Sequence, residues 1–166
     1  MFELKRLSPE GIEGALHKVE RYRLLNEPWE AESICLDVLQ SDPDHQEALT
    51  SLLLARTDQL AREGGPSVES ARALLPRIKG DYERAYYAGI ICERKGAAVR
   101  ERGAARSGPV VYDWLREAME HYERAEKLCP PGNDDALLRW NTCARVIMEH
   151  PYVRPLVEAQ VVTMLE

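Results

Sequence analysis

The side chains with chemical potential in this chain are few and scattered. Its four histidines, His17, His45, His121 and His150, never form a metal-binding pair of the HExxH kind. Glu117 and His121 stand one helical turn apart and could share a surface metal, although a solvated pair accounts for the spacing equally well. Cys35, Cys92, Cys129 and Cys143 include no CxxC pair. Three of the cysteines fall at apolar positions of helical patterns, which predicts buried, reduced thiols. Cys143 lacks a His or Lys within one turn to activate it, and Lys127 near Cys129 is weak evidence for a nucleophile. No glycine-rich phosphate loop and no GxSxG elbow occurs. These residue types therefore predict no active site, no metal and no cofactor, and they direct attention to a binding function.

The elements that would position these residues are helical throughout. Of 166 residues, 45% are hydrophobic, 30% are charged and only one is Phe, which favours helix over sheet in a single folded, soluble domain. Ser8-Pro9 opens a helix with Ile12, Ala15, Leu16, Val19, Tyr22 and Leu25 along one face. Pro28 starts a second, carrying Trp29, Ala31, Ile34, Cys35, Val38 and Leu39, and Asp42-Pro43 stops it. A third helix is predicted over about 44–62, with Ala48, Leu49, Leu52, Leu53 and Leu60 inward. A fourth follows a Ser67 cap and should end or kink near Leu75 because of Pro76. Asp81 begins a fifth, whose continuity past Lys95 is weakened by Gly96 and Gly103. A sixth holds Trp114, Leu115, Ala118, Tyr122, Ala125 and Leu128, and a seventh holds Ala136, Leu137, Trp140, Cys143, Ala144 and Ile147. A last helix over about 153–165 would cap the array with Leu156, Val157, Val161 and Met164. No convincing strand appears.

One spacing recurs among these helices. Ala118, Tyr122, Ala125 and Pro130 are separated by steps of four, three and five, and Ala31, Cys35, Val38 and Pro43 repeat those steps. Ala71, Leu75 and Ile78 form a partial copy without the proline. Steps of four and three hold residues on one helical face, and a recurring face with a fixed stop marks a helical repeat array. Alanines let paired helices approach, the large residue fills the adjacent space, and the proline turns the chain into the next unit.

This pattern resembles the tetratricopeptide repeat family, whose unit is two antiparallel helices, the second showing small, large and small residues and then proline. The resemblance implies an all-α right-handed superhelix of about four helix pairs with a C-terminal capping helix. The units would be about 8–43, 44–80, 81–132 (with an insertion at 94–109) and 133–166. It also implies a non-enzymatic interaction module that holds a protein or peptide in a groove lined by the first helices of the pairs. Carried over by alignment, the groove offers Glu13, Leu16, His17, Glu20 and Leu24; Glu47, Thr50, Ser51 and Leu54; Glu83, Tyr86, Tyr87, Ile90 and Arg94; and Asp134, Leu138, Asn141 and Arg145. Partner contacts are expected chiefly from His17, Glu20, Tyr86, Tyr87, Arg94, Leu138, Asn141 and Arg145. Of adjacent Tyr86 and Tyr87, one should be core and the other groove, the exposed ring lying beside Arg94 and Arg145. The clamp of Lys, Asn and Arg that holds acidic EEVD chaperone tails in some family members survives in kind only at Asn141 and Arg145, so such tails are not expected partners.

The insertion reverses the local charge. Arg94, Lys95, Arg100, Arg102 and Arg106 face one acid, Glu101, in a chain of net charge −6. If helical through Arg106, this segment would span about 39 Å, as a solvated extension, a mobile loop or a docking arm for an acidic partner or phosphate. Without interleaved aromatics it is a weak nucleic-acid signal. The alternative functions are self-association through the final helix, the chain being a monomer or a weak homodimer, and nucleic-acid or phosphate contact through the insertion at 94–106. The first residues lack the apolar run of a signal peptide and no segment is long and apolar enough for a membrane span, so the cytoplasm is the expected compartment.

Overall fold

The structure, a computed structural model, describes residues 1–156. Among these residues it is all-helical, with seven α-helices and no strand: α1 (Ile12–Leu24), α2 (Pro28–Ser41), α3 (Gln46–Thr57), α4 (Val68–Arg72), α5 (Asp81–Arg102), α6 (Gly108–Glu126) and α7 (Asp135–Glu149). Successive helices pack together, and α1 also touches α3 while α3 touches α5. The alternate helices α1, α3 and α5 are thus neighbours as well.

Local chemistry sets most boundaries. Pro9 lies in a 3-10 turn ahead of α1, and Asn26, at φ 59°, makes the left-handed turn after it. Pro28 occupies the first turn of α2, where its missing N–H costs nothing. The His45 ring accepts a hydrogen bond from the Ala48 N–H at 3.3 Å, so this histidine is the N-cap of α3. Ser67 caps α4 by accepting from the Ser70 N–H at 3.2 Å. Gly103 ends α5 at φ 62°, the left-handed conformation favoured by glycine.

Several expectations are corrected. The third helix stops at Thr57 and not near 62, because residues 58–62 turn back. There Gln59, buried, donates to Glu32 at 2.8 Å and to the Ala55 carbonyl at 3.1 Å. The fourth helix is five residues long, and the kink predicted at Pro76 is a 3-10 turn over Leu75–Arg77. The fifth is continuous through Lys95 and Gly96. Gly96 is buried against Trp114 and Leu115, with both side chains 3.4 Å from where a Cβ would stand. Residues 153–156 are not helical. Val153 is buried, its N–H donating to the His150 carbonyl at 2.8 Å, while the rest of the expected capping helix lies outside the described residues.

Every position of the two full copies apart from the prolines is sealed: Ala31, Cys35, Val38, Ala118, Tyr122 and Ala125 all have 0% exposure. In the partial copy, Ala71 and Ile78 are buried. The core has two lobes, one from α1–α4 with Ile91 and Ala98 of α5, the other from α5–α7; Tyr87 and Trp114 pack against both. Leu25, Trp29, Leu128 and Leu137, expected on apolar faces, are exposed instead. Trp29 is covered on one side by the Arg62 guanidinium, 5.2 Å from its ring centre.

Candidate functional site

Two ion-pair clusters link α1, α5 and α7 with the end of α3. Asp58, just past the end of α3, accepts from Arg23 of α1 at 2.7 Å and pairs with Arg94 of α5 at 3.2 Å. One carboxylate thereby ties the end of α3 to both α1 and α5. Beside it is a hollow of about 320 Å³ lined by Glu20, Arg23, Leu24, Asn26, Pro28, Asp58 and Arg94. Further along, Glu93 of α5 accepts from Tyr122 of α6 at 2.5 Å and from Arg139 of α7 at 3.1 Å. Burial is the main reason the Tyr122 hydroxyl titrates well above its ordinary range, and the neighbouring Glu93 charge adds to it.

Tyr86 and Tyr87 are both half-buried. Their rings meet edge to face at 5.3 Å, and Tyr82 stacks on Tyr86 at 5.8 Å. Burial raises the Tyr87 hydroxyl, with a hydrogen bond to Thr50 opposing the shift. The cation beside Tyr86 is Arg139, which the family alignment passed over for its neighbours Leu138 and Asn141. Arg94 is engaged by Asp58, and Arg145 is exposed. Of the other expected contacts, His17, Glu20 and Leu138 are exposed and Asn141 is half-exposed. Leu24 is 82% and Leu138 60% exposed, while Leu16 and Ile90 are buried and unavailable to a partner.

The basic insertion is not a projecting arm. Its added length extends both α5 and α6, which pack along each other with Gly96 and Ala98 buried. Its charges separate onto two sides. Lys95 and Arg102 face the 60–69 loop, and Arg102 donates to the Leu60 carbonyl at 3.0 Å. Arg100 and Arg106 instead line a hollow of about 780 Å³ that also includes Arg154 and the start of α6.

The Glu117–His121 pair gains a partner that sequence spacing could not reveal. Cys92 of α5 lies beside it, and Arg72 of α4 donates to Glu117 at 2.9 Å and contacts Cys92 Sγ at 3.8 Å. Burial pushes the Cys92 thiol up to about 12, and burial followed by the Arg124 charge lowers His121 below its ordinary value. Cys35 and Cys143 are likewise pushed up to about 12 by burial, as befits core thiols. All four cysteines are free.

Compared with known proteins, the chain matches no family model and no curated sequence. No helix among the described residues is long and apolar enough to cross a membrane.

Proposed function

We propose that this chain is a non-enzymatic interaction module of the tetratricopeptide type, an array of about four helix pairs forming a right-handed superhelix, which holds a polypeptide segment rich in Lys or Arg and apolar side chains along the α1, α3, α5 and α7 face. The observation that carries this reading is the distribution of charge there. Arg23, Arg94 and Arg139 are held by Asp58 and Glu93. Glu13, Glu20, Glu47 and Glu83 are exposed and make no ion pair among the described residues. The charge left to meet a partner is therefore mostly acidic, and exposed Leu24 and Leu138 supply apolar contacts beside half-buried tyrosines. The same argument disfavours acidic EEVD tails. The contacts of α1 with α3 and of α3 with α5, and the sealed Ala, Tyr and Ala positions, support the family assignment.

The test is fluorescence anisotropy with a labelled amphipathic Lys/Leu peptide and its Glu/Leu counterpart. The basic peptide should bind, with affinity falling as salt rises. Binding should weaken in a Glu20→Lys/Glu47→Lys variant but not in Asp42→Lys, which changes an exposed acid away from this face. Equal binding of both peptides, or equal loss in both variants, would refute the proposal.

A second reading, anion contact at the insertion, is favoured by the meeting of Arg100 and Arg106 with Arg154. It predicts a salt-sensitive nucleic-acid gel shift that is lost in Arg100→Gln/Arg106→Gln.

A further inference from the structure

Three potential metal ligands converge where the α5–α6 contact opens to solvent. Cys92 Sγ, a Glu117 carboxylate oxygen and a His121 ring nitrogen all lie within 4.8 Å of one another. Cys92 comes from the middle of α5, and Glu117 and His121 come from successive turns of α6. The cysteine forms a buried base, while Glu117 and His121, with side chains 44% and 21% exposed, form an accessible rim. A tetrahedral zinc ion with bonds of about 2.0–2.3 Å needs ligand atoms roughly 3.4–3.6 Å apart. Glu117 Oε1 and His121 Nε2 are already 3.8 Å apart, so small side-chain rotations bring the set to bonding distance.

A cation already occupies this place. The Arg72 guanidinium reaches in from α4 to lie 2.9 Å from the Glu117 carboxylate and 3.8 Å from Cys92 Sγ. Its tether is a short helix and its side chain is 40% exposed, and its guanidinium lies over the face of Trp114 with its carbon 5.3 Å from the ring centre, a contact it can keep while its N–H groups leave Glu117 and Cys92.

We propose that Cys92, Glu117 and His121 form a Zn²⁺ site, completed by water, in which Arg72 is the resident cation that the metal displaces. Thiolate, imidazole and carboxylate together are a donor set suited to zinc rather than to calcium or magnesium. On binding, Cys92 releases its thiol proton to solvent and its sulfur donates to the metal. Arg124 holds His121 Nδ1 at 2.7 Å, and because arginine only donates, Nε2 carries the ring proton in the neutral metal-free form. Coordination through Nε2 moves that proton to Nδ1 by way of solvent, and exposed Arg124 turns away. Zinc would pin α5 to α6 and release the tie from α4.

The test uses the untagged full chain, titrated with Zn²⁺ by calorimetry and with Co²⁺ by absorbance. One equivalent should bind, and Co²⁺ should give a thiolate charge-transfer band. Cys92→Ser, Glu117→Gln and His121→Gln should each weaken binding by roughly tenfold or more. Glu117→Gln and His121→Gln alter rim positions, which keeps the test valid if the buried cysteine variant fails to fold. Arg72→Met should tighten binding by roughly two- to fivefold, the equilibrium equivalent of a half-exposed ion pair. Absence of stoichiometric binding, a Co²⁺ spectrum without the thiolate band, wild-type affinity in the rim variants, or weaker binding by Arg72→Met would each overturn the proposal.

Discussion

Two glycines inside helices should respond to the same substitution with opposite signs. Replacing a helical glycine by alanine removes backbone freedom from the unfolded chain and stabilises an unhindered helix by up to about 1 kcal/mol. Gly14 in α1 has nothing within 4 Å of a built Cβ, so Gly14→Ala should stabilise by about 0.5 kcal/mol, reduced because it lies in the first turn. At Gly89 in α5, a Cβ would stand 2.5, 2.7 and 2.9 Å from three ring carbons of Tyr122. That ring cannot easily retreat, since it is fully buried and its hydroxyl is held by Glu93 at 2.5 Å. Overpacking of this kind costs about 1–3 kcal/mol, which exceeds the propensity gain, so Gly89→Ala should destabilise by about 1–2 kcal/mol. For a chain of this size that lowers Tm by about 3–6 °C. Urea unfolding followed by circular dichroism gives both free energies, and a Gly89→Ala/Tyr122→Leu cycle should show coupling of about 1 kcal/mol or more. A stabilised Gly89→Ala variant, or additivity with Tyr122→Leu, would refute the claim that Tyr122 fills the space left by this glycine.

Other outcomes follow from the charges and thiols. Asp58→Asn should destabilise by about 1.5 kcal/mol in thermal or urea unfolding, because it leaves Arg23 and Arg94 facing each other without their shared carboxylate. Asp81→Asn, which removes an exposed pair with Arg84 within α5, should stay within about 0.5 kcal/mol of wild type. Cys35, Cys92 and Cys143 keep their protons to about pH 12 when folded, whereas an exposed thiol loses its own near 9, so the native state binds extra protons between those values. Stability should therefore be intact below pH 9 and fall as pH rises above it, by about 1.4 kcal/mol per pH unit for each thiol, measured by urea unfolding at pH 8, 9 and 10. In a thiol-labelling time course one cysteine, half-exposed Cys129, should react quickly and the three buried ones only as the chain opens. Gly108→Ala should dislodge the 150–153 turn from α6, since its Cβ would collide with the Tyr152 carbonyl oxygen; hydrogen exchange at Val153, whose N–H is bonded to His150, should accelerate.

The sequence by itself determined the helices and their packing faces. A step of four and then three is a statement about one side of a helix, and Pro, Ser and Gly act on the backbone within a few residues. That is why Ala31, Ala118 and Tyr122 could be assigned to the core and why Pro28, Ser67 and Pro76 mark real boundaries. The same reasoning reached too far at Leu128 and Leu137, which stay exposed among the described residues, and at residues 58–62, where Gln59 is drawn to Glu32.

The tertiary structure alone decided which charges meet. Asp58 sits in an aperiodic turn, so its position between Arg23 and Arg94 depends on how α1, α3 and α5 come together. The insertion read as one basic run because charge along a chain is one-dimensional; folding turned Lys95 and Arg102 to one side and Arg100 and Arg106 to the other. Cys92 lies 25 positions before Glu117 and 29 before His121, beyond any helical period. It joins them because the antiparallel packing of α5 on α6 brings distant residues into register, and a single helix cannot carry that information.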